Sequence, residues 1–334
     1  MKILRANIWW NVVVPQVLGW IYFCLLIGDS EYHHRWYQIL CFLIPLITTA
    51  AFGYLLNDYC DIESDKKAGK KNLLATVSPL VRTILVLVFF SVAVVSWFVI
   101  KKGILINVLY ALQLIALIIY SVKPFRLKER ALLGVLCDSF YGHINPALIT
   151  LTFFLSGETQ QPVLISLLAF ITVVTCIKGI RNILLHQIDD RKKDAKAGLN
   201  TFVVKHGGLF TLYYINTLLY FEIFFLLLLI AHISYLLPPF ILSLLLFSII
   251  TYLKFSGWKL SYLPKRQLKF KFLFFLNDYY ERWMPVFFLL ILCVHQPLFL
   301  ILLLLHLVLF PSFITKLWSD IETIQQNFKT EEDY

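Results

Sequence analysis

The chain has 334 residues, 59% hydrophobic and 16% aromatic but only 15% charged, with a mean hydropathy of +0.76. A soluble domain is nearer half apolar and a quarter charged, so this composition excludes a single soluble core and indicates an all-α polytopic membrane protein. The net charge of +10 would suit a nucleic-acid binder, but the cations fall in short segments between apolar runs, and no nucleic-acid partner is expected.

Lys2 and Arg5 precede an apolar run that reaches Ile27, too long for a signal peptide and lacking a small-residue cleavage site, so it reads as a retained first helix. Apolar runs of about 20 residues, enough to cross a hydrocarbon core, predict nine helices in chain order. They fall at 8–28, 36–57, 80–100, 104–121, 131–155, 162–187, 208–233, 236–256 and 286–310. Short breaks at Lys101-Lys102-Gly103 and at Pro238-Pro239 make 80–121 and 208–256 hairpins. With the N-terminus in the cytoplasm, 23 lysines and arginines lie on the cytoplasmic side and 5 opposite, which sets the orientation. The expectation is one transmembrane domain over 1–312 and a polar, solvated tail over 313–334. Segment 257–285, rich in aromatics and bases, reads as an interfacial amphipathic helix, with Asn277, Asp278 and Glu281 as minor candidates for an acidic contact. The six cysteines lack metal-binding spacing and read as small buried hydrophobes.

At the end of the second apolar run stands Asn57-Asp58-Tyr59-Cys60-Asp61-Ile62-Glu63-Ser64-Asp65, followed by Lys66, Lys67, Lys70 and Lys71. On a helix Asp58, Asp61 and Asp65 share one face. The spacing Asp-x3-Asp-x3-Gly recurs as Asp61, Asp65, Gly69 and as Asp190, Asp194, Gly198, the second copy at the end of the sixth run. Carboxylates so close raise one another's pKa unless a counter-charge intervenes. A helix C-terminus adds partial negative charge, so both ends read as cation sites on the cytoplasmic side. Magnesium suits them, because it joins one or two carboxylates to substrate phosphates and keeps several waters. Asn57 offers a neutral oxygen or an amide donor. His186 either touches ligand or metal or is satisfied by a neighbour. A third constellation, Tyr120-Ser121-Val122-Lys123-Pro124-Phe125-Arg126-Leu127-Lys128, puts hydroxyls and three cations at the same boundary; a purely topogenic basic loop accounts for its charges equally well.

Two carboxylate clusters and a set of cations above an apolar bundle call for a substrate with a polyphosphate head and an apolar tail, an isoprenoid diphosphate. Metal would neutralise the leaving diphosphate, lysine and arginine would complete the clamp, and aromatic walls would shield an allylic cation.

With these residues in place, the sequence resembles the UbiA superfamily of intramembrane prenyltransferases. The motif NDxxDxxxD stands as Asn57, Asp58, Asp61 and Asp65. The motif DxxxD with a trailing glycine stands as Asp190, Asp194 and Gly198, and YSxxPxRxK as Tyr120, Ser121, Pro124, Arg126 and Lys128. The resemblance implies nine helices around a central cavity, cytoplasmic cap loops, and two magnesium ions bridging the motifs to a prenyl diphosphate. It implies that Lys67, Lys70, Lys71, Tyr120, Lys123, Arg126 and Lys128 contact the diphosphate or steady the loops, and it makes Asn11 a weaker candidate near the first motif. Many members follow the first motif with an Arg-Pro segment, where this chain has Lys71-Asn72-Leu73-Leu74; His186-Gln187 replaces the Asn and Arg pattern of some quinone enzymes. The expected activity is transfer of a prenyl group to a small aromatic or quinone-precursor acceptor, in what the resemblance suggests is a bacterial inner membrane. The same motifs also fit a membrane terpene cyclase that uses no acceptor. A secondary transporter fits less well, since transporters keep ionisable groups near the bilayer midplane and here the acids gather at helix ends.

Overall fold

The computed structural model describes residues 9–28, 36–99, 103–156, 161–233, 238–256 and 274–332, and the reading of 257–273 lies outside them. The described helices are α1 (Val13–Ile27), α2 (Trp36–Ala68), α3 (Pro79–Phe98), α4 (Ile104–Ser121), α5 (Ala131–Ser139), α6 (Asn145–Leu155), α7 (Gln161–Ala197) and the short α8 (Phe202–His206). They continue with α9 (Gly208–Ile233), α10 (Pro238–Ser256), α11 (Phe275–Asp278), α12 (Met284–His295), α13 (Phe299–Leu309) and α14 (Ser312–Glu332). The chain divides into two compact units. One comprises Met1–Trp10 with Gly28–Leu229, the other Asn11–Ile27 with Ile230–Tyr334.

Among the described residues five helices are long and apolar enough to cross a membrane: Gln38–Ala68, Pro79–Phe98, Ile104–Ser121, Pro162–Ala197 and Gly208–Ile233. Phe299–Leu309 and Ser312–Gln326, bent by 73°, make a sixth if counted as one span. The expected run 131–155 is divided: a π turn, Phe140–Ile144, separates α5 from α6. Pro146 has no N–H to give to the turn before it, so the helical ladder widens there. The expected run 286–310 is likewise broken between α12 and α13, at Pro297. The segment 313–334, expected as a solvated tail, is helical over Ser312–Glu332.

The larger departure concerns α2 and α7. The apolar runs end near residues 57 and 187, yet the helices continue to Ala68 and Ala197. Hydropathy marks where a helix leaves the apolar layer, not where its hydrogen bonds stop. Lys66 and Lys67 in the last turn of α2, and Lys196 in that of α7, complement the helix dipole. Each motif therefore rides on a rigid helical extension rather than a loop.

The apolar faces follow from the same economy. α3 leaves Leu80, Ile84, Leu87, Val88 and Val95 exposed, as a helix surrounded by lipid requires. It begins at Pro79, the favoured first helical position, behind Ser78, whose side chain accepts from the Val81 N–H at 3.4 Å. Within the first unit a charged pair is wholly enclosed: Arg181 Nη2 donates to Glu222 Oε1 at 3.0 Å, both side chains 0% exposed. In the second unit α1 packs on α12, where a Cβ at Gly19 would meet Met284 Cε at 2.7 Å. In that unit Lys254 of α10 also pairs with Asp320 of α14 at 2.6 Å.

Breaking a buried pair by removing one partner strands a charge, at a cost of about 3–5 kcal/mol, whereas an apolar replacement of both is close to neutral. Arg181→Met is therefore expected to lower the thermal midpoint of the detergent-solubilised protein strongly, and Arg181→Met with Glu222→Leu to restore most of it. A double variant no more stable than the single one would show that the pair acts otherwise.

Candidate active site

The repeated spacing first explains itself as a helix stop. Gly69 and Gly198 both have positive φ, +71° and +73°. In α2 the Lys70 N–H donates to the Asp65 carbonyl at 2.9 Å and the Gly69 N–H to that of Lys66 at 3.2 Å. In α7 Leu199 and Gly198 repeat those bonds to Asp194 and Ala195, at 3.0 and 3.1 Å. This is the Schellman arrangement, with a left-handed glycine closing the helix. In both motifs the last aspartate is thus locked by the backbone bond that ends its helix.

The side chains of the first unit then converge. Lys70, just past the end of α2, reaches the second motif and donates to Asp190 Oδ2 at 2.9 Å and Asp194 Oδ1 at 3.1 Å. Lys128 donates to Asn57 Oδ1 at 2.9 Å and forms a close ion pair with Asp61. Arg126 donates to Asp61 Oδ1 at 3.0 Å and to the Cys60 carbonyl at 2.9 Å, and pairs with Glu129. Three of the cations expected from the sequence, Lys70, Arg126 and Lys128, thus meet the carboxylates directly. Lys67, Lys71 and Lys123 are exposed. Asp58 is buried, 5% exposed. Asn11 belongs to the second unit, as do Asn277, Asp278 and Glu281; Asp278 there pairs with Arg282.

The loop that delivers Arg126 and Lys128 is strained at both ends. Arg126 and Ala131 have φ of +39° and +38°, a region that side chains disfavour and that persists where surroundings impose it. At Arg126 the imposing contacts are those to Asp61 and Cys60. At Ala131 the N–H donates to the Asn200 carbonyl at 3.0 Å, beside a parallel bridge to Thr201. The loop after α4 and the cap after α7 are thereby joined. Gln187, buried, anchors that cap by accepting from the Val203 N–H at 3.3 Å.

Charge environment separates the two lysines. Burial pulls the Lys70 ammonium downward, but the hydrogen bond to Asp190 and the charge of Asp194 outweigh it, and its pKa is raised. For Lys128 burial wins over Asp61, and its pKa is lowered. Five motif aspartates against Lys70, Arg126 and Lys128 leave an excess of two negative charges.

A divalent metal ion fits this donor set. The oxygens are hard carboxylates and an amide, and each motif already clasps a cation: the Lys70 ammonium lies between Asp190 and Asp194, and that of Lys128 between Asn57 and Asp61. Among the described residues no three His, Cys, Asp or Glu side chains come within reach of one ion. The arrangement suits ions held by one or two carboxylates and completed by ligand oxygens, as magnesium is.

Sequence reasoning passed over Asn72, counted only as a departure from a family pattern. Its Nδ2 donates to the Asp58 carbonyl at 2.8 Å and to Asp65 Oδ2 at 2.9 Å, while its Oδ1 accepts from the N–H groups of Leu74 and Ala75 at 3.0 and 3.3 Å. One buried amide thus folds the first cap back onto its motif. An asparagine two residues ahead of an N–H it can cap is an Asx-turn signal, legible in Lys71-Asn72-Leu73-Leu74.

These features define a helical membrane protein whose acidic clusters at two helix ends are paired with lysine and arginine side chains. The family model described as UbiA prenyltransferase family matches residues 17–278. The chain belongs to that family. Its fold is shared by solved structures of a UbiA homolog from Archaeoglobus fulgidus, one bound to DMAPP and Mg2+, another to GPP and Mg2+ and a third to Cd2+. Each aligns at 15–16% identity with a TM-score of 0.54, covering 84% of this chain and 96% of the homolog. No curated protein matches.

Asn72→Ala removes four bonds around a buried backbone, and each buried group left unpaired costs about 1–3 kcal/mol. The expected result is faster tryptic cleavage at Lys66 to Lys71 with the rest of the fold intact. Unchanged cleavage would show that the cap is held by other means.

Proposed function

We propose that this protein is a magnesium-dependent intramembrane prenyltransferase that ionises an isoprenyl diphosphate and passes the prenyl group to a small aromatic or quinone-precursor acceptor. The observation that carries this reading is the pairing of Lys70, Arg126 and Lys128 with Asp61, Asp190 and Asp194 at the ends of two helices. Such a site has cations to grip a diphosphate and carboxylates to grip metal. Family membership supports the activity class, and the homolog bound to GPP and Mg2+ supports the ligand pair.

In this reading Asn57, Asp58, Asp61, Asp65, Asp190 and Asp194 hold two magnesium ions. Magnesium, when bound, neutralises the diphosphate and weakens its bond to the allylic carbon. Lys70, Arg126 and Lys128 turn their N–H groups from carboxylate to diphosphate oxygens, with no change in which side chains surround the site. Tyr120 and Ser121 border the site at the end of α4, Lys67, Lys71 and Lys123 add positive potential at its rim, and His186 remains a candidate for substrate contact. The site faces the cytoplasm, in keeping with the charge distribution of the sequence, and the membrane is a bacterial inner membrane.

The cyclase reading keeps the same clamp and dispenses with the acceptor. Labelled prenyl diphosphate given alone to membranes separates the two, since a hydrocarbon product would sink the transferase. For either reaction, Asp61→Ala and Asp190→Ala should lower turnover at least about a hundredfold in a protein that still folds, and EDTA should stop it. Near-normal activity of either variant, or activity after full chelation, would contradict the clamp.

A further inference from the structure

Two residues before the π turn Phe140–Ile144 stands an aspartate that no motif contains, Asp138. π turns are rare and gather at functional sites. On α5 the residues exposed to lipid are Leu132, Leu133 and Leu136. At about 100° per residue Asp138 points about 190° away from their centre, into the bundle of the first unit. Its side chain is largely but not wholly buried. One turn earlier on the same face, Gly134 abuts the loop that carries Lys128: a Cβ there would meet the Leu127 carbonyl at 2.7 Å and Lys128 Cα at 3.0 Å. Asp138 thus lies about 6 Å further along α5, inward from the cation clamp.

Its surroundings hold it in place. The Tyr141 hydroxyl donates to Asp138 Oδ1. The rings of Tyr120 and Tyr141 meet edge to face with centroids 5.1 Å apart. Gln113 Nε2 fixes the π turn by donating to the Tyr141 carbonyl at 2.8 Å, and Asn145 Nδ2 fixes Gln113 at 2.9 Å. Behind Asp138, Ser139 is fully buried and donates to the Cys176 carbonyl of α7 at 3.0 Å. Gly179 allows that approach, since a Cβ there would lie 2.3 Å from Ser139 Oγ.

We propose that Asp138 is the proton acceptor of the transfer step, receiving the proton that the attacking nucleophile loses as it bonds to the prenyl carbon; this rests on the prenyltransferase reading. The prenyl C1–O bond breaks and its electron pair leaves with the diphosphate. An electron pair of the nucleophile forms the new bond to C1, and its proton passes to the Asp138 carboxylate. The acceptor class this selects carries a hydroxyl or phenolic proton at or next to the reacting atom.

The test uses the full chain in membranes with magnesium and geranyl diphosphate labelled with 18O at the bridging position. Label scrambling into non-bridging positions reports ionisation without any acceptor; geraniol and other geranylated products report nucleophilic capture, water serving where no better acceptor is present. Asp138→Asn is expected to keep scrambling within about threefold while product falls about a hundredfold, and Asp138→Glu to recover much of the product. Equal loss of scrambling and product would place Asp138 in the clamp and overturn the proposal, as would undiminished product. Should Asp138→Asn fail to accumulate, Tyr141→Phe carries the same split, with product down about tenfold and scrambling kept; equal loss of both, or loss of neither, overturns the proposal. A wild-type protein that neither scrambles nor forms product refutes the prenyltransferase reading itself, a failure distinct from that of Asp138.

Discussion

Everything at the candidate site depends on one electrostatic constraint: aspartates crowded at a helix C-terminus must have cations. The carbonyl dipoles of the last turn already make such an end negative, and the motif carboxylates add to it, three at the end of α2 and two at the end of α7. The protein answers with side chains brought from elsewhere in sequence. Lys70 crosses from the end of α2 to Asp190 and Asp194 on α7, and Lys128 and Arg126 come from the loop after α4 to Asp61. Three separate segments are joined by these pairs, and the backbone bond from Ala131 to Asn200 closes the circle.

The same pairs explain why the site stands on rigid supports. Isolated exposed ion pairs contribute little, about 0–1 kcal/mol; here the partners are mostly enclosed, with Asp194 at 7% and Lys128 at 12% side-chain exposure. An enclosed cation without its carboxylate would be costly, so the loops are held where the helices put the acids. Backbone strain at Arg126 is sustained by those contacts, and that at Ala131 by its bond to the Asn200 carbonyl. On the proposed function, the cost of holding these charges near the membrane interface is recovered when diphosphate and magnesium enter, because each group then gains a partner of opposite sign.

Much of this was legible in the residues. Apolar runs located most helices to within a few positions: 104–121 is Ile104–Ser121 and 208–233 is Gly208–Ile233. The matched spacing of Asp61, Asp65, Gly69 and Asp190, Asp194, Gly198 foretold two equivalent helix ends, and the glycines have the left-handed backbone that such ends use. What stayed hidden has identifiable causes. Hydropathy does not report the polar extensions of α2 and α7, which are helical because their residues favour helix and their last turns carry lysine. Asn72 and Asp138 act through contacts set by tertiary packing and by a π turn, and neither a 3.6-residue period nor a motif marks them. The partners of Lys70 lie 120 and 124 positions away, a pairing that no local pattern encodes.

The central claim is that the two acidic helix ends and their cations form one clamp that grips diphosphate only together with metal. Equilibrium binding of radiolabelled geranyl diphosphate to the purified full-length protein, with magnesium and after exhaustive chelation, tests it directly. The account predicts retention with magnesium, and loss on chelation or in either Asp61→Asn or Asp190→Asn. Binding of equal strength without metal, or unaffected by both substitutions, would contradict it.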